Sequence, residues 1–348
     1  MTTGNYNKIK MLIYGEPFEW AMAFNVVEAC ADLGHVASIF DYTQHLYRTK
    51  KFSLTNRILD RLLFNSVAKT INEHLLNAIK DEHYDVLLVM KGIHLFPATI
   101  TAAKQYVTHV VNWNPDDFFN PLNNSKYLLA AFNKYDCIFT PRSHLAEEYR
   151  RKGAKRVEML HWYFLPKTQH PVSISAKEKK QYGSDLVFIG TWSRRREKFL
   201  CALDDLNLRV WGGYWHRASR AFRKAIDCRP PIFGKEMCKA VCSSNININI
   251  LTAENRDTTN VRNFEIPACA GFQLCERSPA IMQLFEEGKE IAFYSTPEEL
   301  VSQCKYYLNN EIELNQIRQQ GYQRLINGHH TMKDRVATII TSLYGKND

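Results

Sequence analysis

Two short runs constrain the fold more than any other feature of the chain. Asp85 to Met90 reads DVLLVM, and Asp185 to Gly190 reads DLVFIG. Neither alternates apolar with polar residues, so neither suits a strand with one wet face. Unbroken apolar strands belong in parallel sheets covered by helices on both faces. Around each run the order is strand, glycine or polar turn, helix, strand, the pattern of doubly wound α/β domains. A chain of 348 residues has the length for two of them. We expect one over residues 1–165 and the other over 185–330, followed by the segment 331–348 with a terminal helix from Thr331 to Tyr344. The stretch 166–184 is polar, proline-containing and without period, and reads as the connection.

In the first domain, Lys8 to Tyr14 (KIKMLIY) is the opening strand and Gly15-Glu16-Pro17 breaks it. A helix follows with Trp20, Phe24, Val27 and Ala31 at helical spacing, then a strand from Val36 to Phe40. Gly15 stands either at a tight turn or where another backbone approaches, and both readings remain open. Tyr47 to Lys80 starts basic and turns amphipathic, through Ile58, Leu62, Leu63, Val67, Ile71, Leu75, Leu76 and Ile79. Most of that stripe should pack on the sheet. Lys50, Lys51, Arg57 and Arg61 are either a solvated face or a contact with an anionic lipid surface.

Ligands of open α/β sheets bind beyond the carboxyl ends of the strands. Lys91 and His94 follow DVLLVM and sit at that end. The strand His109–Trp113 runs into Asn114-Pro115-Asp116-Asp117. Asp116 and Asp117 face a substrate there, or cap the next helix. Further strands are expected over Tyr135–Thr140 and Val157–Leu160.

The second domain restarts at DLVFIG. Gly190, Thr191 and a short turn lead to Arg194-Arg195-Arg196-Glu197-Lys198 at a helix start. Free N–H groups and the dipole at a helix start favour an anion, and arginine chelates phosphate oxygens. Cations there are mildly unfavourable without a counter-ion, so the run suits a diphosphate. Strands are expected over Leu208–Trp211 and Ile246–Leu251. The stretch that organises this half is Asp257 to Glu276, DTTNVRNFEIPACAGFQLCE, read as loop, short helix and strand. Pro267 should make the helix begin near Phe264 or kink. Arg262 and Glu265 then lie at or near a helix N-terminus. Ala268, Ala270 and Gly271 are small enough to admit another backbone or a flat ligand. Ile291–Tyr294 is the last strand.

The net charge of +9 fits an anionic partner, yet no zinc finger, basic arm or other nucleic-acid motif accompanies it, and no nucleic acid is expected. Nine cysteines without a CxxC read as reduced thiols. No apolar run approaches the ~18 residues of a membrane span. The N-terminus lacks a signal-peptide core. The expectation is a cytoplasmic protein, with peripheral contact at the inner membrane face as an open alternative.

NVRNFEIPACAGFQLCE, EEGKEIAFYSTPEEL, YYLNNE and QQGYQRL, together with FIGTW and the arginines after it, resemble the CgeB-like (spore-maturation-protein type) group of GT-B glycosyltransferases. The resemblance is dense from about Asp257 to Thr331. It implies two Rossmann-like α/β domains facing a central cleft, with the C-terminal helix crossing back to the first. It also implies sugar transfer from a nucleoside-diphosphate donor to a glycan, lipid-linked or protein acceptor. Glu265 would accept the ribose hydroxyls. Arg262, Arg196 and Lys198 would neutralise the leaving diphosphate, beside the backbone of Gly190 and Thr191. Asp257 falls where related enzymes often place a glutamate near the donor sugar. No metal or cofactor is expected beyond the nucleotide-sugar co-substrate, and no DxD motif is present. An inverting reaction would need a base, for which Asp116, Asp117 and His94 are the candidates; in a retaining reaction the leaving phosphate takes the proton. Family likeness tilts towards retention. A nucleotide-sugar epimerase and a non-catalytic sugar- or partner-binding protein share the architecture and remain alternatives.

Overall fold

A computed structural model describes residues 8–50, 53–252 and 258–345. The chain divides into two compact units, Met1–His161 with Met332–Asp348, and Trp162–Thr331.

The first unit is built on six parallel strands: β1 (Lys10–Gly15), β2 (Val36–Asp41), β3 (Tyr84–Met90), β4 (Val107–Trp113), β5 (Cys137–Thr140) and β6 (Val157–Met159). Their order is β2-β1-β3-β4-β5-β6. Winding reverses between β1 and β3, and ligands of open α/β sheets bind beyond the carboxyl ends at such a reversal. Val86, Leu87, Leu88 and Val89 are all fully buried, as an unbroken apolar run requires.

The helix Met22–Asp32 has the expected period but a different phase. Ala23, Val26, Ala29 and Cys30 are its buried apolar residues, whereas Trp20 precedes the helix and is 67% exposed. Gly15 explains the shift. It ends β1, and a side chain there would collide with the Ala23 methyl group. The helix therefore lies on the strand through its small residues. The backbone that approaches Gly15 is the chain's own.

The stripe between 58 and 79 is split. Helix Phe64–Asp81 buries Val67, Ile71, Leu75 and Ile79, as expected. Helix Leu54–Leu62 buries no residue, so Ile58 and Leu62 do not pack on the sheet. The terminal helix Met332–Tyr344 belongs to this unit. Arg335 Nε donates to the His161 carbonyl at 2.8 Å, and the Tyr344 ring meets His109 edge-on at 5.0 Å.

The second unit carries β7 (Leu186–Ile189), β8 (Leu208–Trp211), β9 (Asp227–Arg229), β10 (Ile246–Asn249), β11 (Gln273–Glu276) and β12 (Ala292–Tyr294). All pair in parallel, in the order β12-β11-β10-β7-β8-β9. The reversal falls between β7 and β10. Residues 166–184 fall within this unit and include a packed helix, Ala176–Tyr182, closed by a capping box of Ser175 and Glu178. Glu178 also takes Lys239 Nζ at 2.8 Å, which ties it to the helix Gly234–Ser243. Lys239 and the Ser175 hydroxyl and N–H hold the Glu178 carboxyl down at about 2.

The helix of the organising stretch is Arg262–Ala268, with Pro267 inside it. It starts two residues earlier than the proline suggested. Pro267 has no N–H to offer the Asn263 carbonyl, and the helix ends one residue after it. Ala270 then takes a left-handed conformation (φ 53°) and turns the chain into β11.

Candidate functional site

At the carboxyl ends of β7 and β10 the second unit brings together Gly190, Thr191, Arg196, Arg262 and Glu265. Arg196 crosses the switch point. The Ser193 hydroxyl accepts its backbone N–H at 3.2 Å, starting the helix Arg194–Cys201. The guanidinium then reaches both strand ends. Nη1 donates to the Thr191 carbonyl at 2.9 Å and its hydroxyl at 3.2 Å. Nη2 donates to the Ile250 carbonyl at 3.1 Å, and Nε to the same oxygen at 3.3 Å. Its plane lies over the Phe188 ring.

Arg196 is only 9% exposed, and no carboxylate is bonded to it among the described residues. Burial, then the neighbouring Arg262 and Arg195, lower its guanidinium to about 10. It remains a cation at neutral pH, desolvated and beside like charges. A buried cation that among the described residues meets carbonyls, a hydroxyl and a ring but no carboxylate is suited to an anion. Gly190 keeps the approach open, since a methyl group there would press on the Phe188 ring at 2.9 Å and on Arg196 Nη1 at 3.3 Å.

Glu265 is locked from two sides. One oxygen accepts from Gln169 Nε2 at 2.7 Å; the other forms an ion pair with Arg262 Nη1. Arg262 Nε donates to the Ile189 carbonyl at 3.1 Å, so the pair is fixed to the end of β7. A carboxylate has roughly four acceptor positions, and two of them are filled among the described residues. Gln169 was missed in the sequence. It lies 96 residues from Glu265, in the polar stretch read as a connection, and no local signal marks it.

Lys198 does not join this group. Two residues from Arg196, it points about 200° away around the helix and is exposed, where its charge acts on Glu298. Arg195, not singled out from sequence, forms an ion pair with buried Glu276 and donates to the Leu251 carbonyl at 2.9 Å. Glu276 in turn accepts the Leu251 N–H at 3.0 Å, so this pair binds the end of β10 to β11. Asp257 lies outside the described residues.

A buried amide network holds the loop before Arg262. Asn249 Nδ2 donates to Asn260 Oδ1 (3.1 Å) and Gln273 Oε1 (3.2 Å). Asn263 Nδ2 reaches the same Gln273 oxygen at 3.3 Å, and Asn263 Oδ1 accepts the Asn260 N–H at 2.8 Å. Satisfied buried networks rigidify what they touch. Asn263→Leu should strand several of these groups and cost about 2–4 kcal/mol. Denaturant unfolding measures it, and a loss below ~1 kcal/mol would mean that the network does not position the helix.

At the carboxyl ends of β3 and β4 in the first unit, Lys91 Nζ pairs with Asp116 at 2.5 Å. Lys91 is left-handed (φ 59°), followed by Gly92 at φ 86°, and that double turn brings the lysine over the β4 end. Its carbonyl accepts from Asn112 Nδ2 at 3.0 Å. Asp117 accepts the Phe119 N–H at 2.8 Å, a turn-closing bond. His94 is 4% exposed, with the Tyr42 and Phe64 rings against it at 5.5 and 5.0 Å. The structure thus brings Lys91 and Asp116 together, gives Asp117 a local bond and puts His94 inside. Among the described residues no three His, Cys, Asp or Glu side chains converge as a metal site.

Residues 194–341 match a family profile described as glycosyl transferase-like. No curated protein sequence matches the chain. Sucrose-phosphate synthase from Thermosynechococcus elongatus superposes with a TM-score of 0.68 at 12% identity, over 97% of this chain and 98% of that one. Anabaena HepE, solved with UDP and glucose, gives 0.65 at 10% identity, over 97% and 100%. A glycosyltransferase from Rickettsia africae gives 0.64 at 14% identity, over 99% and 100%. At these identities the likeness is one of fold, and the fold is GT-B. With the profile match, it supports a glycosyltransferase enzyme.

Proposed function

We propose that the chain, a GT-B protein of the CgeB-like group, transfers a sugar from a nucleoside-diphosphate donor to a glycan, lipid-linked or protein acceptor, with retention and without a metal. Arg196 at the β7–β10 switch point carries the reading: a buried cation bonded to no carboxylate among the described residues, with Arg262 and Glu265 alongside. Glu265 would accept the ribose hydroxyls. As the bond from the anomeric carbon to the β-phosphate oxygen breaks, negative charge develops on the diphosphate. Preorganised cations stabilise such charge most where water is excluded, and Arg196 and Arg262 would supply them in place of a divalent ion. HepE was solved with UDP, which makes UDP-sugars the first donors to try.

Retention is supported by what the candidate bases are doing. Asp116 is paired with Lys91, Asp117 closes a turn and His94 is buried. With none free, the acceptor proton would pass to the departing phosphate oxygen as the acceptor oxygen bonds the anomeric carbon. The test is transfer assayed in EDTA, with the product's anomeric configuration read by NMR. We expect undiminished transfer, retained configuration and a fall in kcat of less than tenfold for Asp116→Asn. An inverted product with a kcat loss of 10²–10⁴-fold would make Asp116 a general base. Turnover without any acceptor would favour the epimerase.

A further inference from the structure

The helix Leu54–Leu62 is amphipathic and faces the wrong way round. Its polar side holds it to the protein. Asn56 Nδ2 donates to the Tyr47 carbonyl at 2.9 Å, and Asp60 accepts the Tyr47 N–H at 2.7 Å. Ser53 caps its start by accepting the Asn56 N–H at 3.1 Å. Residues 56 and 60 share one side, so 54, 58 and 62 share the opposite one. Leu54 is 72% exposed, Ile58 50% and Leu62 74%. Solvent-facing helix sides are ordinarily polar, so a continuous apolar stripe there needs a cover.

Charge identifies the cover. Arg57 and Arg61 are exposed beside the stripe. The helix's one acid, Asp60, is turned inward onto Tyr47, so the outer face is apolar and cationic with no carboxylate. A face of leucines and isoleucine edged with arginine matches the boundary between acyl chains and anionic headgroups. Lys51 and the side chain of Lys50, the other cations noted in the sequence, lie outside the described residues. The placement agrees. The helix follows the carboxyl end of β2, and exposed Trp20 and Phe119 follow the carboxyl ends of β1 and β4, so all three stand at the ligand end of this sheet. Among the described residues no helix is long and apolar enough to cross a membrane.

We infer that helix 54–62 is a peripheral membrane anchor that lays Leu54, Ile58 and Leu62 into an anionic bilayer surface. The anchor holds whatever reaction the second unit performs; if the transferase reading holds, a lipid-linked acceptor becomes the favoured class.

Flotation or tryptophan-based titration of the full chain with vesicles tests it without any activity assay. Vesicles with 30 mol% phosphatidylglycerol should bind at least tenfold more tightly than pure phosphatidylcholine. The double variant Leu54→Gln/Leu62→Gln should weaken that binding at least tenfold. Both positions are exposed, so its melting temperature should match the parent chain, and Arg57→Gln/Arg61→Gln should weaken binding to a similar extent. The inference fails if the full chain ignores anionic vesicles. It also fails if the leucine variant binds like the parent, which would assign binding to the net charge alone. Sedimentation that shows a dimer broken by the leucine variant would give the stripe to a second copy of the chain and overturn the anchor.

Discussion

Replacing Glu265 with alanine is expected to abolish stabilisation by a nucleoside diphosphate and to weaken the unliganded protein as well. A ligand at a hundred times its Kd stabilises the parent chain by roughly 2.7 kcal/mol, a shift of about 5–10 °C for a unit of this size. Thermal unfolding with UDP, GDP, dTDP, ADP and CMP reads that shift. The alanine variant should show none. It also removes the partner of Arg262 and Gln169, and Glu265 itself is 9% exposed. Breaking a buried pair leaves a cation uncompensated, beside Arg196 here, and costs about 3–5 kcal/mol. Alanine alone therefore confounds binding with folding. Glu265→Gln separates them, because its carbonyl oxygen still accepts from Gln169 while the charge is gone. We expect the glutamine variant to melt closer to the parent and to lose most of the nucleotide shift. A full shift in Glu265→Gln would reduce Glu265 to a scaffold for Arg262.

The sheets were legible because burial on both faces leaves an unbroken apolar run, as in Val86–Val89 and Leu186–Ile189. Strand β9, three residues reading Asp-Cys-Arg on a sheet edge, carries no such signal. Helix 22–32 had a readable period, but its phase was set by Gly15 and Ala23, a contact that large-residue periodicity overlooks. Helix 54–62 misled in the opposite sense: its apolar stripe was read correctly and assigned to a core that it does not enter. At the site, Arg196, Arg262 and Glu265 stand out through the arginine run at a helix start and through the family resemblance, and the structure brings the three together. Their supports were not legible. Gln169, Glu276 and the amide network act through tertiary hydrogen bonds, and only the fold chooses among a chain's many amides. Lys198 is a lesson in helix geometry, since residues i and i+2 do not share a face.

Arg196→Met should separate function from stability more sharply than any other substitution. Methionine keeps an unbranched chain over the Phe188 ring while removing the charge. Two opposed effects then act on the unliganded protein. The carbonyls of Ile250 and Thr191 lose their donors, at about 1–3 kcal/mol for each one left unsatisfied. Against this, a desolvated cation beside Arg262 and Arg195 is removed, and replacing buried charge with apolar volume is often neutral or stabilising. We expect a net change within about 2 kcal/mol. The nucleotide-induced shift should vanish, and on the proposed role, in which Arg196 opposes the charge that grows as the diphosphate leaves, kcat/KM should fall by about 10³-fold or more. Arg196→Lys should rescue little, since one ammonium lacks the planar fork that spans Thr191 and Ile250. Loss of ligand binding with the fold intact is the mark of a residue kept for its substrate at some expense of stability. A methionine variant that unfolds more than about 4 kcal/mol too easily yet still binds nucleotide would make Arg196 a structural tie between β7 and β10, and the donor site would have to be sought elsewhere.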